Sequence, residues 1–135
     1  MTVAGYSGTP LAKKLGLTEG ADVVTMGAPD DFADLVDGVP VVAATRVPRR
    51  ADVIVGFFTK RADLAKRIEG CGKAIFPDGA MWVAWPKRSS GVATDITEDT
   101  VREVALPLGL VDNKVCAIDD TWSGLRVVWR RELRK

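Results

Sequence analysis

Histidine is absent from these 135 residues, and its absence excludes Ser–His and Cys–His nucleophilic pairs, histidine general bases and histidine-rich metal sites. Cysteine is nearly absent too. Cys71 and Cys116 lie far apart and form no CxxC pair, so they read as buried free thiols in a reducing cytoplasm and not as a disulfide framework or a zinc site. Neither sign of charge dominates: 19 Lys and Arg stand against 18 Asp and Glu, a formal net charge of +1. Such a balanced chain has no strong field to draw it onto nucleic acid or an anionic membrane, and no partner of either kind is expected. The start, MTVAGYSGTP, lacks the basic-then-apolar pattern of a secretory signal, and no apolar run approaches the roughly 20 residues that cross a bilayer. The expected location is the cytoplasm. No Walker-type phosphate loop is present, and Gly70-Cys71-Gly72-Lys73 only imitates a dinucleotide fingerprint, since it follows a helical pattern and has Ile75 where the last glycine belongs.

What remains is enough for a core. With 47% hydrophobic and 27% charged residues, the chain fits one compact domain over residues 9–135, preceded by a flexible arm at residues 1–8. Thr9-Pro10 supplies an N-cap and a first-turn proline for a short helix ending at Gly16. Lys13 and Lys14 fall in its last turn, where positive charge complements the helix dipole. Residues 21–26 are apolar and β-branched on both faces, the pattern of a buried parallel strand. Asp30 caps a short helical segment with Phe32, Leu35 and Val36 inward. Residues 40–45 read as a strand near an edge, because proline cannot donate to a ladder, and residues 52–58 as a third, apolar strand. Thr59 is the expected N-cap of a helix that carries Ala62, Ala65 and Ile68 inward, bordered by Leu64, and that Gly70 and Gly72 close.

The longest patterned unit is residues 77–110, PDGAMWVAWPKRSSGVATDITEDTVREVALPLGL. Residues 80–85 are apolar on both faces, with Met81, Val83 and Trp85 opposite Trp82 and Ala84, as an internal parallel strand requires. A polar loop leads to Thr97, the cap of a helix with Glu98 and Asp99 in its first turn and Val101, Val104, Ala105 and Leu108 inward. Pro107 disturbs its last turn, and Gly109 ends it. Residues 111–118 and 125–128 form two strands whose connection, DDTWSG, is too short for a helix, so they pair as an antiparallel hairpin. The alternation implies an α/β three-layer sandwich with a mostly parallel sheet ending in that hairpin.

This order resembles the Rossmann-like fold of class I methyltransferases, shortened by one strand–helix unit in its first half. Two blocks, AGYSGTPLAKKLGL and GAMWVAWPKRSSGVATDITEDTVREVALPLGLVDNKVCAIDDTWSGLRVV, are similar to a family of small bacterial proteins known only as a domain of unknown function. That similarity spans nearly the whole chain; it implies a small Rossmann-like domain and no assigned substrate. In the methyltransferase resemblance, residues 22–29 take the place of the cofactor-binding strand and its turn. Such a turn needs several glycines, and the second strand usually ends in an acid that holds the ribose. Here the turn is MGAPDDF, with one glycine followed by Ala28 and Pro29, and the second strand ends at Thr45-Arg46; Asp30 and Asp31 are the available substitutes for the acid. S-adenosylmethionine is therefore disfavoured, no cofactor is expected, and a non-catalytic domain is preferred to an enzyme. A methyltransferase with a degenerate cofactor motif stands as the second alternative.

In that fold the loops after parallel strands converge on one rim. The rim would bring together Gly27, Ala28 and Pro29, then Phe58, Thr59 and Lys60, then Trp85, Lys87, Arg88, Ser89 and Ser90. A helix N-terminus at Thr59 with free amides, cations at Lys60, Lys87 and Arg88, and a flat wall at Trp85 would suit a small anionic or nucleotide-like ligand. Against this, Trp85 reads equally as core and the cations as surface. Lys87 beside Ser89 or Ser90 is an ordinary polar loop, and Asp112, Asp119 and Asp120 read as turn residues, so neither catalytic nor metal-ligating residues are assigned. Trp122 at the hairpin tip offers the first alternative, a scaffold or interaction domain or a homodimer anchored there.

Overall fold

The structure, a computed structural model, describes residues 10–134; the arm expected at residues 1–8 and the cap at Thr9 lie outside the described residues. Ten regular elements follow in order: α1 (Leu11–Lys14), β1 (Val23–Met26), α2 (Phe32–Leu35), β2 (Val42–Ala43), β3 (Val53–Phe57), α3 (Arg61–Ile75), β4 (Ala80–Pro86), α4 (Glu98–Ala105), β5 (Leu110–Ala117) and β6 (Trp122–Trp129). They build one six-stranded sheet in the order β2-β1-β3-β4-β6-β5. The first four strands are parallel, and β6 and β5 close the sheet antiparallel. The hairpin is not simply appended. After α4 the chain goes to the far edge to lay down β5, then returns to place β6 between β5 and β4.

Side-chain alternation along the strands divides the core. Val24, Met26, Ile54, Met81, Val83 and Trp85 pack towards α3 and α4, whereas Val23, Val53, Val55, Phe57, Trp82 and Ala84 pack towards Leu15, Leu17, Phe32 and Val36 on the other side. Every residue of β4 is buried, as the run apolar on both faces implies, and β2 is a two-residue edge strand with both residues exposed. Both cysteines are free thiols; Cys71 is buried as expected, whereas Cys116, on the edge strand β5, is only half-buried. The segment after α1 is held by a buried bond, from the Trp82 indole Nε1 to the Leu15 carbonyl at 2.9 Å. Thr97 caps α4 as expected: its hydroxyl accepts from the Thr100 amide at 3.3 Å, and the Thr100 hydroxyl accepts from the Thr97 amide at 3.0 Å.

α3 corrects the sequence reading at both ends. Its N-cap is Lys60, not Thr59, and it runs through Gly70 and Gly72 to Ile75. The two glycines do not stop the helix; they let it pack closely. A Cβ at Gly70 would come within 3.2 Å of Val47, and one at Gly72 within 3.3 Å of Leu110 and 3.4 Å of Trp129. The Gly72 carbonyl also accepts from the Trp129 indole at 2.8 Å. With the helix extended, its inner stripe is Leu64, Ile68, Cys71 and Ile75, and Ala62 and Ala65 are exposed.

The hairpin brings two more corrections. Trp122 is the first residue of β6, paired with Pro86 of β4, and is not at the tip. The turn is made by Asp119, whose carboxylate accepts from the amides of Thr121 and Trp122 at 2.8 Å each, an Asx arrangement. Asp112 is a strand residue whose carboxylate accepts from Arg102 Nε at 3.2 Å.

Candidate functional site

Two neighbouring parallel strands send their chains to opposite faces. β1 leads into α2 on the Phe32 side, and β3 leads into α3 on the Leu64 side. In an open α/β sheet this divergence leaves a crevice beyond the carboxyl ends of the strands, which is where such sheets bind ligands. A cleft of about 370 Å³ lies there, at the ends of β1, β2 and β3. Its size falls within the range of about 300–1,000 Å³ usual for small-molecule sites.

Gly27 sets the floor of the cleft. Its φ of +69° is one that favours glycine, and a Cβ there would stand 2.9 Å from the Phe57 carbonyl oxygen. The missing side chain therefore allows β1 to turn away directly against β3, with exposed backbone left at the cleft. Met26, Phe57 and Phe58 supply apolar walls, and Thr45, Asp63, Lys66 and Arg67 supply the polar groups. Arg67 is fixed by donating from a guanidinium nitrogen to the Thr45 carbonyl at 3.1 Å, which ties α3 to the end of β2. Beneath Met26, the Cys71 thiol lies 3.9 Å from the Met26 sulfur. Burial pushes that thiol up to about 11, against a smaller opposing effect of Arg67, so it stays protonated and is no nucleophile.

Of the residues expected on the rim, Gly27 and Phe58 line this cleft; Ala28 and Pro29 follow Gly27 in the turn, half-buried. Thr59, Lys60, Lys87, Arg88, Ser89 and Ser90 do not line it, because the segment after β4 is strapped down beside it. The Thr94 hydroxyl donates to the Thr59 carbonyl at 2.7 Å, and the Asp95 carboxylate accepts from the Arg61 amide at 2.7 Å. Of the helix amides expected to attract an anion, that of Arg61 is thus already taken by the chain's own carboxylate. Lys87 is drawn the other way, its amide donating to the Thr121 carbonyl at 2.7 Å, and Ser90 turns its hydroxyl back onto the Lys87 carbonyl at 2.7 Å. Trp85 is buried in the core under α4. Trp122 is half-buried with its ring edge-on to Phe57, centroids 5.0 Å apart, so it braces the hairpin on the sheet.

Sequence reasoning missed Asp63, Lys66 and Arg67 because its helix began at Thr59 and its inner stripe was misplaced. The signal was there in i, i+3 and i+4 spacing, once Leu64 and Ile68 are taken as the inner pair. A larger cleft of about 430 Å³ opens at the opposite, amino-terminal edge of the strands, with Asp52 and Asp78 among its lining. Its position opposes the strand ends at which α/β sheets bind ligands, so the carboxyl-edge cleft is the candidate site. Among the described residues no three His, Cys, Asp or Glu side chains are grouped to hold a metal ion, and no helix is long and apolar enough to cross a membrane.

No family model and no curated protein matches the chain, so neither comparison supports the expected likeness to a family of small bacterial proteins. Solved structures do match. Magnesium protoporphyrin IX methyltransferase from Synechocystis PCC 6803, solved with bound SAH, aligns over 89% of this chain and 78% of its own at 11% identity and a TM-score of 0.59. A SAM-dependent methyltransferase from Aquifex aeolicus aligns over 87% and 86% at 14% identity and a TM-score of 0.59. Aeropyrum pernix fibrillarin, in complex with natively bound S-adenosyl-L-methionine, aligns over 87% and 73% at 16% identity and a TM-score of 0.56. Identities this low carry the fold: the chain has the methyltransferase-like Rossmann fold expected from its element order. They also correct one expectation. The expectation that no cofactor belongs here rested on a sparse glycine turn and on a second strand that ends at Thr45-Arg46 without an acid, and it is overturned by neighbours of the same architecture that hold S-adenosylmethionine or SAH.

Proposed function

We propose that the chain binds S-adenosylmethionine in the cleft at the ends of β1, β2 and β3, as a methyltransferase-type domain. The observation that carries this reading is the place of the cleft, where β1 and β3 diverge, with Gly27 on its floor. The residues present suit the cofactor's parts. Met26, Phe57 and Phe58 offer apolar surface for the adenine and exclude water from it. The Asp63 carboxylate and the Thr45 hydroxyl are the lining groups able to accept ribose hydroxyls. They stand in for the acid that β2 lacks at its end. Lys66 and Arg67 supply the positive charge that the cofactor's α-carboxylate requires. When bound, S-adenosylmethionine contributes an electrophilic methyl group. With no histidine in the chain and Asp63 the sole carboxylate of the cleft among the described residues, the favoured acceptor is one whose nucleophile is unprotonated at neutral pH.

Calorimetric titration and thermal unfolding with S-adenosylmethionine and SAH test the proposal. One saturable site is expected, and at 100 times the Kd it raises stability by about 2.7 kcal/mol. Lys66 is exposed and makes no ion pair among the described residues, so Lys66→Ala should weaken binding without lowering the melting temperature of the free protein. No heat and no thermal shift at millimolar cofactor would sink the reading.

A further inference from the structure

Cations gather at one further place. A cleft of about 280 Å³ opens between α1 and the β5–β6 hairpin, lined by Lys13, Lys14, Gly16, Asn113, Lys114 and Arg126, with no carboxylate among them. The fold assembles it through the sheet. Lys114 and Arg126 are directly opposed cross-strand partners, and Arg126 is the partner of Trp82 on its other side. Because the Trp82 indole holds the Leu15 carbonyl, the preceding Lys13 and Lys14 are brought over the same face. Lys114 Nζ donates to the Lys14 carbonyl at 3.1 Å, and Arg126 donates to the Asn113 side-chain oxygen at 3.1 Å.

Both of those acceptors are neutral. None of the four cations forms an ion pair among the described residues, whereas Arg102 is paired with Glu98, Asp99 and Asp112, and Arg50 with Asp22 and Asp52. Arg126 also borders the neighbouring cleft that contains Glu19, Asp52 and Asp78, yet it pairs with none of them. Residues 1–9 contain no acidic side chain to make up the difference. Like charges directly opposed across a strand pair are destabilising, so the fold bears a cost here that it avoids around Arg102. Neither the helix dipole nor edge protection accounts for the whole cluster. The dipole that would favour Lys13 and Lys14 has only the four residues of α1 to draw on. Protection of a sheet edge by lysine suits Lys114 on β5 but not Arg126 on the interior strand β6.

We propose that this cleft binds a small phosphate-bearing ligand, a phosphate monoester or diphosphate, through Lys13, Lys14, Lys114 and Arg126. The arginine fork and three lysine point charges match a compact, multiply charged oxyanion. A nucleic-acid strand suits the surface less well. It would need a stacking platform, and of the two tryptophans on this side Trp82 is fully buried while Trp122 is engaged edge-on with Phe57.

The test is a titration of the whole chain with inorganic phosphate and inorganic pyrophosphate at low ionic strength, followed by amide NMR shifts and calorimetry. Saturable binding is expected, stronger for pyrophosphate, with shifts centred on residues 13, 14, 114 and 126. The double variant Lys13→Gln with Lys114→Gln should lose roughly tenfold or more in affinity. Since Lys114 also straps β5 to α1, the single variant Lys13→Gln, which removes an exposed charge and no hydrogen bond, separates charge from folding; it should weaken binding severalfold. Lys66→Ala in the other cleft should leave phosphate binding unchanged, so failure of either proposal is distinguishable from failure of the other. Absence of saturable binding, equal affinity in Lys13→Gln, or a short single-stranded RNA outcompeting pyrophosphate would each overturn the assignment.

Discussion

Gly27 and Gly91 invite a paired substitution whose outcome follows from geometry. Both lie in left-handed backbone, at φ +69° and +79°. At Gly91 a Cβ would meet nothing within 4 Å, whereas at Gly27 it would stand 2.9 Å from the backbone oxygen of Phe57, in the middle of the sheet. An L-residue held in that conformation costs about 1–2 kcal/mol, and alanine recovers about 0.4–1 kcal/mol by restricting the unfolded chain. Gly91→Ala should therefore lose on the order of 1 kcal/mol. Gly27→Ala bears the same strain plus the displacement of β1 from β3. Overpacking against backbone that cannot retreat adds about 1–3 kcal/mol, for a total near 2–4 kcal/mol. In a chain of this size that difference corresponds to a melting temperature roughly 4–12 °C below that of Gly91→Ala. Thermal unfolding by circular dichroism, with urea unfolding to confirm unchanged m-values, reads the comparison directly. Equal losses in the two variants would show that β1 does not turn against Phe57 and that Gly27 is not the floor of the proposed cleft.

Two further outcomes are expected. Trp82→Phe leaves the buried Leu15 carbonyl without its 2.9 Å donor and opens a void in the sheet, costing about 2–4 kcal/mol; urea unfolding measures it, and a loss below about 0.5 kcal/mol would refute the account of how the segment after α1 is held. Cys71 makes stability fall on the alkaline side. Its thiol is raised from 9.0 to about 11 by burial, so above pH 9 the unfolded chain releases a proton that the folded chain retains. Stability is then fully present below pH 9 and declines by about 2–3 kcal/mol as pH approaches 11. Cys71→Ala should flatten that decline, and an identical pH slope in the variant would refute it.

The architecture was legible wherever local chemistry and packing agreed. β4 is apolar on both faces because it is covered on both faces, and Thr97 followed by two acids announced α4. α3 was misread because Gly70 and Gly72 are poor helix formers locally, while their value lies in contacts with Val47, Leu110 and Trp129 that are distant in sequence. A separate error, the start at Thr59 with Ala62 and Ala65 taken as inner, displaced the stripe and concealed Lys66 and Arg67. Trp122 was placed in a turn because Ser123 and Gly124 look like turn residues; Gly124 is in fact a strand residue lying under Trp82 and Ile118. The rim at residues 85–90 was expected to converge on the cleft, and the strap from Thr94 and Asp95 to Thr59 and Arg61 that closes it off depends on pairings about 35 residues apart, which periodicity does not encode.

The insertion of β6 between β4 and β5 has a kinetic meaning. β6 comes last in sequence of the six described strands, yet both β4 and β5 take their antiparallel partner from it. A nascent chain that has emerged only as far as β5 presents the fully apolar β4 as an open edge and leaves β5 with no place in the sheet. Folding of this half must therefore wait for β6, which pairs locally with β5 but reaches β4 across the whole α4–β5 segment, the kind of long-range pairing that forms slowly. Until β6 arrives the exposed edge of β4 is a template for intermolecular pairing, so the interval between the emergence of β5 and that of β6 is the one most open to misassembly.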